Sequence, residues 1–307
     1  MLKYIGRRIV ALIPVALGVA TLTFALIHLV PGDPVLAMLG DFAAPADVVQ
    51  MRHELKLDLP LWQQYLYFLS GIVRGDFGES ISQHEPVARL IRERFPATLE
   101  LAFAGLFVAI LLALPLGMIA GANPGGAADL GAMGFAILGI SVPHLYLGPL
   151  LMIVFSLDLG WLPLTGRGGL SHLVLPAVTL GTALAAIIAR MLRQSLVQVL
   201  ETDYMRTARS KGLSRAAAVL HHGLRNALTP VVTLLGLQAG ALLTGLIVVE
   251  MIFSWPGLGR LMITAINSRD YPLVEGCVLV FALSYVIVNM LTDLVYSVVD
   301  PRIRLGS

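Results

Sequence analysis

The stretch 201–230 reads ETDYMRTARSKGLSRAAAVLHHGLRNALTP and lies between two long apolar runs. Its residues include five of the chain's 21 Lys and Arg, so a dense basic segment sits directly beside stretches able to enter a bilayer. Short Lys/Arg-rich loops are retained on the cytoplasmic side of a membrane. Read as such a loop, 201–230 makes the flanking runs transmembrane helices. The loop is itself patterned as two short helices. Residues 208–211 run into Gly212, a C-terminal stop, and Ser214 is placed to cap a second helix through the alanines 216–218. A bare connector needs only a few residues, so two ordered helices here predict a docking surface.

Totals agree with a membrane protein. Of 307 residues, 57% are hydrophobic and 13% charged, whereas soluble domains carry about a quarter charged residues. A net charge of +2 is too small for a nucleic-acid binder, and the basic residues cluster beside apolar runs instead. The single cysteine, Cys277, lies in an apolar run, which excludes a disulfide framework and a cysteine metal site.

Uncharged runs long enough to cross a bilayer, about 20 residues, occur at 9–32, 101–128, 130–157, 168–189 and 226–249, with a shorter one at 276–292. Six transmembrane helices are expected. The first run, preceded by Lys3, Arg7 and Arg8, is too long for the core of a signal peptide and lacks its cleavage pattern, so it reads as a retained anchor. Over the short loops, Lys and Arg number twelve on the side of 201–230 and both termini, against three (Arg167, Arg260 and Arg269) on the other. This places both termini and the insert in the cytoplasm. One turn departs from the pattern, since 122–129 lies on the cytoplasmic side yet holds no Lys or Arg.

After the first span, Pro31-Gly32-Asp33-Pro34 signals a turn. The segment to residue 97 then predicts an amphipathic helix after Pro60, with Leu61, Tyr65, Phe68, Leu69 and Ile72 at helical spacing. Trp62, Tyr65 and Tyr67 suit a membrane interface. A second short helix is expected from Pro86, showing Leu90, Ile91 and Phe95 on one side. The segment is either a cap on the spans or a contact surface for a protein that delivers substrate. Small residues recur every fourth position in the second span (Gly105, Ala109, Ala113, Gly117, Gly121) and the fourth (Ala177, Gly181, Ala185, Ala189), and Gly236 and Gly240 repeat the device in the fifth. In a bilayer that spacing lets helices approach, within this chain or against a second subunit. Polar groups in spans are expensive and tend to mark pathways. Tyr285, Asn289 and Asp293 follow one another at i+4 steps in the last span and are candidates to line a translocation path, or else to bond between helices. His28 and His144 are two further polar positions.

No chemistry of an enzyme is written in the chain. None of the three lysines, Lys3, Lys56 and Lys211, follows a glycine, so no phosphate-cradling GxxxxGK[ST] loop exists. His53-Glu54 and His84-Glu85 have Leu57 and Ala88 where a zinc protease needs its second histidine. His221 and His222 have no carboxylate or cysteine close by in sequence and read as a solvated surface.

Asp203-Tyr204-Met205-Arg206-Thr207-Ala208-Arg209-Ser210-Lys211-Gly212-Leu213, followed by Leu224-Arg225-Asn226-Ala227-Leu228-Thr229-Pro230, resembles the cytoplasmic loop of membrane subunits of ATP-binding-cassette (ABC) importers. The branch it is most similar to is the dipeptide, oligopeptide, nickel and glutathione one. The PGDP turn, Gly75-Asp76-Phe77-Gly78, residues 95–100, residues 253–260, Arg269-Asp270-Tyr271-Pro272 and Asp300-Pro301-Arg302-Ile303-Arg304 also look like that branch, so the resemblance covers nearly the whole chain.

It implies an all-α, six-helix type I importer fold with an extra extracytoplasmic segment after helix 1. The expected divisions are 1–30 (N-terminus and helix 1), 31–97 (extracytoplasmic), 98–297 (core with the coupling loop 201–230) and 298–307 (tail). It also implies a permease subunit for peptides, with glutathione or nickel as alternatives. The chain itself would carry no cofactor; ATP and Mg would be bound by two partner ATPase subunits. A second, homologous membrane subunit and an extracytoplasmic binding protein complete the expected assembly in the cell inner membrane. Tyr204, Arg206, Thr207, Ala208, Lys211 and Gly212 are the residues expected to dock on the ATPase. Two other classes compete. A secondary transporter built of inverted repeats leaves the long outer segment and single large inner loop without counterparts in the other half. An intramembrane serine protease needs a serine and a histidine inside packed spans, but the fourth helix has serines only near its ends, Ser171 and Ser195, and the sixth helix has no histidine.

Overall fold

The computed structural model describes residues 13–25, 35, 44–54 and 56–299. The PGDP turn, His28 and the strings of the C-terminal tail lie outside them. The helices, in chain order, are α1 (Ile13–Ala25), α2 (Pro45–Glu54), α3 (Leu61–Arg74), α4 (Val87–Ala122), α5 (Ala127–Ser141) and α6 (His144–Leu151), which runs into a π-helical turn at Met152–Asp158. They continue with α7 (Leu170–Leu200), α8 (Asp203–Ser210), α9 (Arg215–Ala218), a π-helical turn at Val219–Gly223, α10 (Leu224–Ile252), α11 (Leu258–Asn267) and α12 (Tyr271–Val299). The chain divides into two compact units, one of residues 1–97 with 256–287 and one of 98–255 with 288–307.

Among the described residues three helices, α4, α7 and α12, are long and apolar enough to cross a bilayer, and α5 with the continuous piece His144–Asp158 is long and apolar enough as one bent pair. Two expected features are corrected. The run 130–157 is not one straight helix but two pieces meeting at 103°. Val142 is extended (φ −92°, ψ 111°) because the residue before a proline is pushed out of the helical region, and Pro143 then opens the next helix. The short helix expected from Pro86 is not separate either. It is the start of α4, which continues for 36 residues through Pro96. At 1.5 Å per residue α4 is about 54 Å long, well beyond the roughly 30 Å hydrocarbon core.

In the unit of 98–255 with 288–307, α7 is the central element. Its most apolar window is 61% buried, against 22% for α4. The small-residue stripes explain how α4 comes so close. A Cβ at Gly181 would lie 2.6 Å from the Gly105 carbonyl oxygen and 3.0 Å from the Ala109 nitrogen, and one at Gly117 would lie 2.9 Å from the Ala189 oxygen. The two stripes therefore face each other within this chain, with Ala109, Ala113, Ala185 and Ala189 buried in one core. Of the two readings of the stripes, packing inside the subunit is the observed one. Gly236 of α10 likewise sits against the side chain of Thr292, whose hydroxyl donates to the Gly236 oxygen at 3.2 Å.

In the other unit, α3 is amphipathic as expected and packs on α1. The Tyr65 hydroxyl meets Thr21 Oγ1 at 2.6 Å, and the Phe24 ring lies 5.3 Å from Tyr65 and 5.8 Å from Phe68. Trp62 and Tyr67 remain exposed. Val87, Leu90 and Ile91 form a core with Leu258, Leu261, Ala265, Leu273 and Cys277. Asp270, fully buried, ties this unit together. Its Oδ2 accepts hydrogen bonds from Ser80 Oγ (2.6 Å), Ser82 Oγ (2.7 Å) and the Ser82 N–H (3.0 Å), and its Oδ1 accepts from the Leu273 N–H (3.2 Å).

Candidate functional site

The 201–230 insert is built as its residue types dictate. The carbonyl of Thr202 accepts from the N–H groups of Met205 and Arg206, which starts α8, and Asp203 places a negative charge in its first turn. Gly212 ends the passage in the left-handed region at φ +89°, where a side chain costs roughly 1–2 kcal/mol. Ser214 Oγ accepts from the Ala217 N–H at 3.3 Å, capping α9 as expected. Instead of stopping after the alanines, the chain passes through the Val219–Gly223 π-helical turn directly into α10. No slack link separates the second half of the insert from the spanning helix.

Burial divides the insert into an anchored side and a presented side. Met205, Ala218, Val219 and Gly223 are buried, and a Cβ on Gly223 would lie 3.2 Å from Leu196 of α7. Arg206, Thr207, Lys211 and Gly212 are exposed, and Ala208 is half-buried. Arg206 leans on Asp203 at 3.2 Å, a surface pair of small energetic weight. Tyr204 is 42% exposed, and its hydroxyl accepts from Asn226 Nδ2 at 2.7 Å, which braces α8 against the start of α10. The six expected docking residues thus share one short segment, and five of them are exposed to solvent.

Sequence reasoning overlooked two supports. Met205, between the polar residues of the motif, is the plug that fixes α8; its apolar side chain in a basic string was the available signal. The second support is an ion pair between Asp129 and Arg193, with the Arg193 Nη2 donating to Asp129 Oδ2 at 2.6 Å and Nε donating to Oδ1. The Gly125 N–H donates to the same carboxylate at 2.8 Å. The turn 122–129, which lacks a basic residue of its own, receives one from α7, and the pair clamps that turn to the helix leading into the insert.

Among the path candidates, Tyr285 is 49% exposed and Asn289 half-buried on α12. Asp293 belongs to the same helix, and its side chain lies outside the described residues. His144 opens α6 at the break in the middle of the bent pair, and its Nδ1 lies 2.9 Å from the Thr179 carbonyl of α7.

Residues 113–305 match the family described as binding-protein-dependent transport system inner membrane component, and residues 1–102 match the N-terminal region described for the same membrane components. Over 304 residues the chain is 44% identical to the glutathione transport system permease protein GsiC of Salmonella typhi and to that of Escherichia coli, covering 99% of each chain. In fold it is similar to a chain of the MetNI methionine ABC transporter in an inward-facing conformation (TM-score 0.56, 19% identity, 69% of this chain and 96% of that one). It is also similar to a chain of an amino acid ABC transporter (TM-score 0.52, 18% identity, 70% and 94%). A full-length relationship, an all-α core of membrane-spanning helices and the braced basic insert agree, and the chain belongs to the binding-protein-dependent transport system inner membrane components, the multi-pass permease subunits of ABC importers.

Proposed function

We propose that the chain forms one half of an ATP-driven pore for small peptides, and that 201–230 is the cytoplasmic handle through which partner ATPases move it. The observation that carries this reading is the insert itself. Two capped helices are anchored by Met205, Ala218 and Val219, joined without slack to α10, and present Arg206, Thr207 and Lys211 in a chain that has no phosphate-binding loop. A handle of this kind transmits force only if it is rigid. ATP binding can shift the pore between outward and inward access only if the docked contacts differ in free energy between the two states. Both termini lie in the cytoplasm in this reading, six spans make half of the pore, and a second membrane subunit, two ATPases and a binding protein complete it. Tyr285, Asn289 and Asp293 line the route.

The relatives support the cargo class. Glutathione is a tripeptide, so the GsiC relatives and the peptide branch agree on a short, zwitterionic, peptide-like solute, with glutathione the first member to test. Gly212→Pro and Arg206→Glu are the decisive substitutions. Each is expected to leave the subunit in the membrane while abolishing its co-purification with the ATPases or ATP-driven uptake. Retention of both properties in both variants would remove the docking role.

A further inference from the structure

Glu275 is a carboxylate on α12, a helix long and apolar enough to cross a membrane, that no polar contact among the described residues uses. It lies in the second turn of α12, two residues from Leu273 and two from Cys277, which places it on roughly the opposite side of the helix from that buried pair. It is half-buried, and it has no hydrogen-bond or ion-pair partner among the described residues. Asp270, only five residues earlier, shows what a structural carboxylate looks like in this protein, since it is fully buried and takes four hydrogen bonds. Glu275 immediately precedes the apolar run 276–292, so its carboxylate stands at the mouth of the span, where a polar solute passes before it meets the costly bilayer centre. Seven residues make nearly two helical turns, so Glu275 shares its side of α12 with the small Ala282 and, two further turns on, with Asn289.

We propose that Glu275 accepts the ammonium group of a zwitterionic peptide as the cargo enters the route along α12. The inference rests on the peptide-importer reading above and deepens it by assigning the cargo's cationic end to one side chain. The half-buried carboxylate supplies a charge-assisted acceptor, which is stronger than one fully in water. Among the described residues it is unspent, and in this proposal its partner arrives with the cargo.

The test uses the complete importer in vesicles, with radiolabelled glutathione and dialanine as probes. Glu275→Gln removes the charge and keeps the shape, and Glu275→Asp keeps the charge. The expected result is a tenfold or larger loss of ATP-driven uptake for Glu275→Gln, with at least a third of the rate kept by Glu275→Asp and unchanged co-purification of all subunits for both. Uptake by Glu275→Gln within twofold of wild type overturns the proposal. Loss of the second membrane subunit from the purified Glu275→Gln complex also overturns it, because the carboxylate then pairs with a cation of that subunit. Wild-type protein that hydrolyses ATP with its partners yet takes up neither probe overturns the peptide reading itself, a result distinct from the other two.

Discussion

Replacing Gly181 by alanine tests whether backbone contact between α4 and α7 sets the stability of the subunit. The added methyl would stand 2.6 Å from the Gly105 carbonyl oxygen and 3.0 Å from the Ala109 nitrogen. Ordinary van der Waals contact begins near 3.4 Å, so one helix must retreat by about 0.8 Å, and overpacking of this kind costs about 1–3 kcal/mol. Both obstacles are backbone atoms, which cannot rotate away as a side chain would. Gly131 in α5 is the matched control, with nothing within 4 Å of its would-be Cβ. In a helix interior alanine is favoured over glycine by about 0.5–1 kcal/mol, a gain common to both sites. Gly131→Ala is therefore expected to hold or raise stability. Gly181→Ala should fall below it by about 1–3 kcal/mol, which is roughly a five- to hundredfold shift in the folding ratio. Melting of the detergent-purified subunits, followed by fluorescence-detected gel filtration, separates the two. Equal melting temperatures would refute the close-approach argument.

Asp270→Asn should loosen the loop that carries Ser80 and Ser82, since the donors converging on Oδ2 then face an amide in one of its two orientations; a hydrogen bond to a charged group contributes about 1.5–3 kcal/mol. Faster proteolysis between residues 75 and 86 at neutral pH is the readout. Burial alone would push the Asp270 carboxyl up, but the hydrogen bonds from Ser80, Ser82 and the Leu273 N–H outweigh it and hold the group below the usual carboxylate range. Its contribution is therefore complete at neutral pH and is lost only as pH falls below about 4, so pepsin should reach the loop of the wild type on strong acidification. Asn289→Ala and Asp293→Asn are expected to change uptake without lowering the amount of subunit in the membrane. Wild-type uptake in both would leave that side of α12 with a packing role only.

Much of this protein is legible in one dimension because a bilayer imposes strong constraints on composition. Apolar runs of about 20 residues marked most of the spans. The basic string around Arg206 marked the insert, and Gly212 and Ser214 marked its stop and cap, since left-handed backbone and helix-end N–H groups demand particular residue types. Local rules failed where distant groups decide. Pro96 reads as a helix boundary but lies inside α4. In its neighbour α7, Arg193 reaches back to Asp129, 64 positions away in sequence. Val142-Pro143 is a break that local rules can read, set inside an apolar run long enough to look like a single span. That the small residues of α4 meet those of α7 was undecidable from spacing alone, because the same pattern suits a contact with another subunit. Only the tertiary structure chose the partner face, and it did so through backbone atoms that no sequence pattern displays. The same holds for Glu275: its charge is visible in the sequence, but that it meets no partner among the described residues is a property of the fold, because hydrogen bonds to a side chain come from residues that only folding brings near.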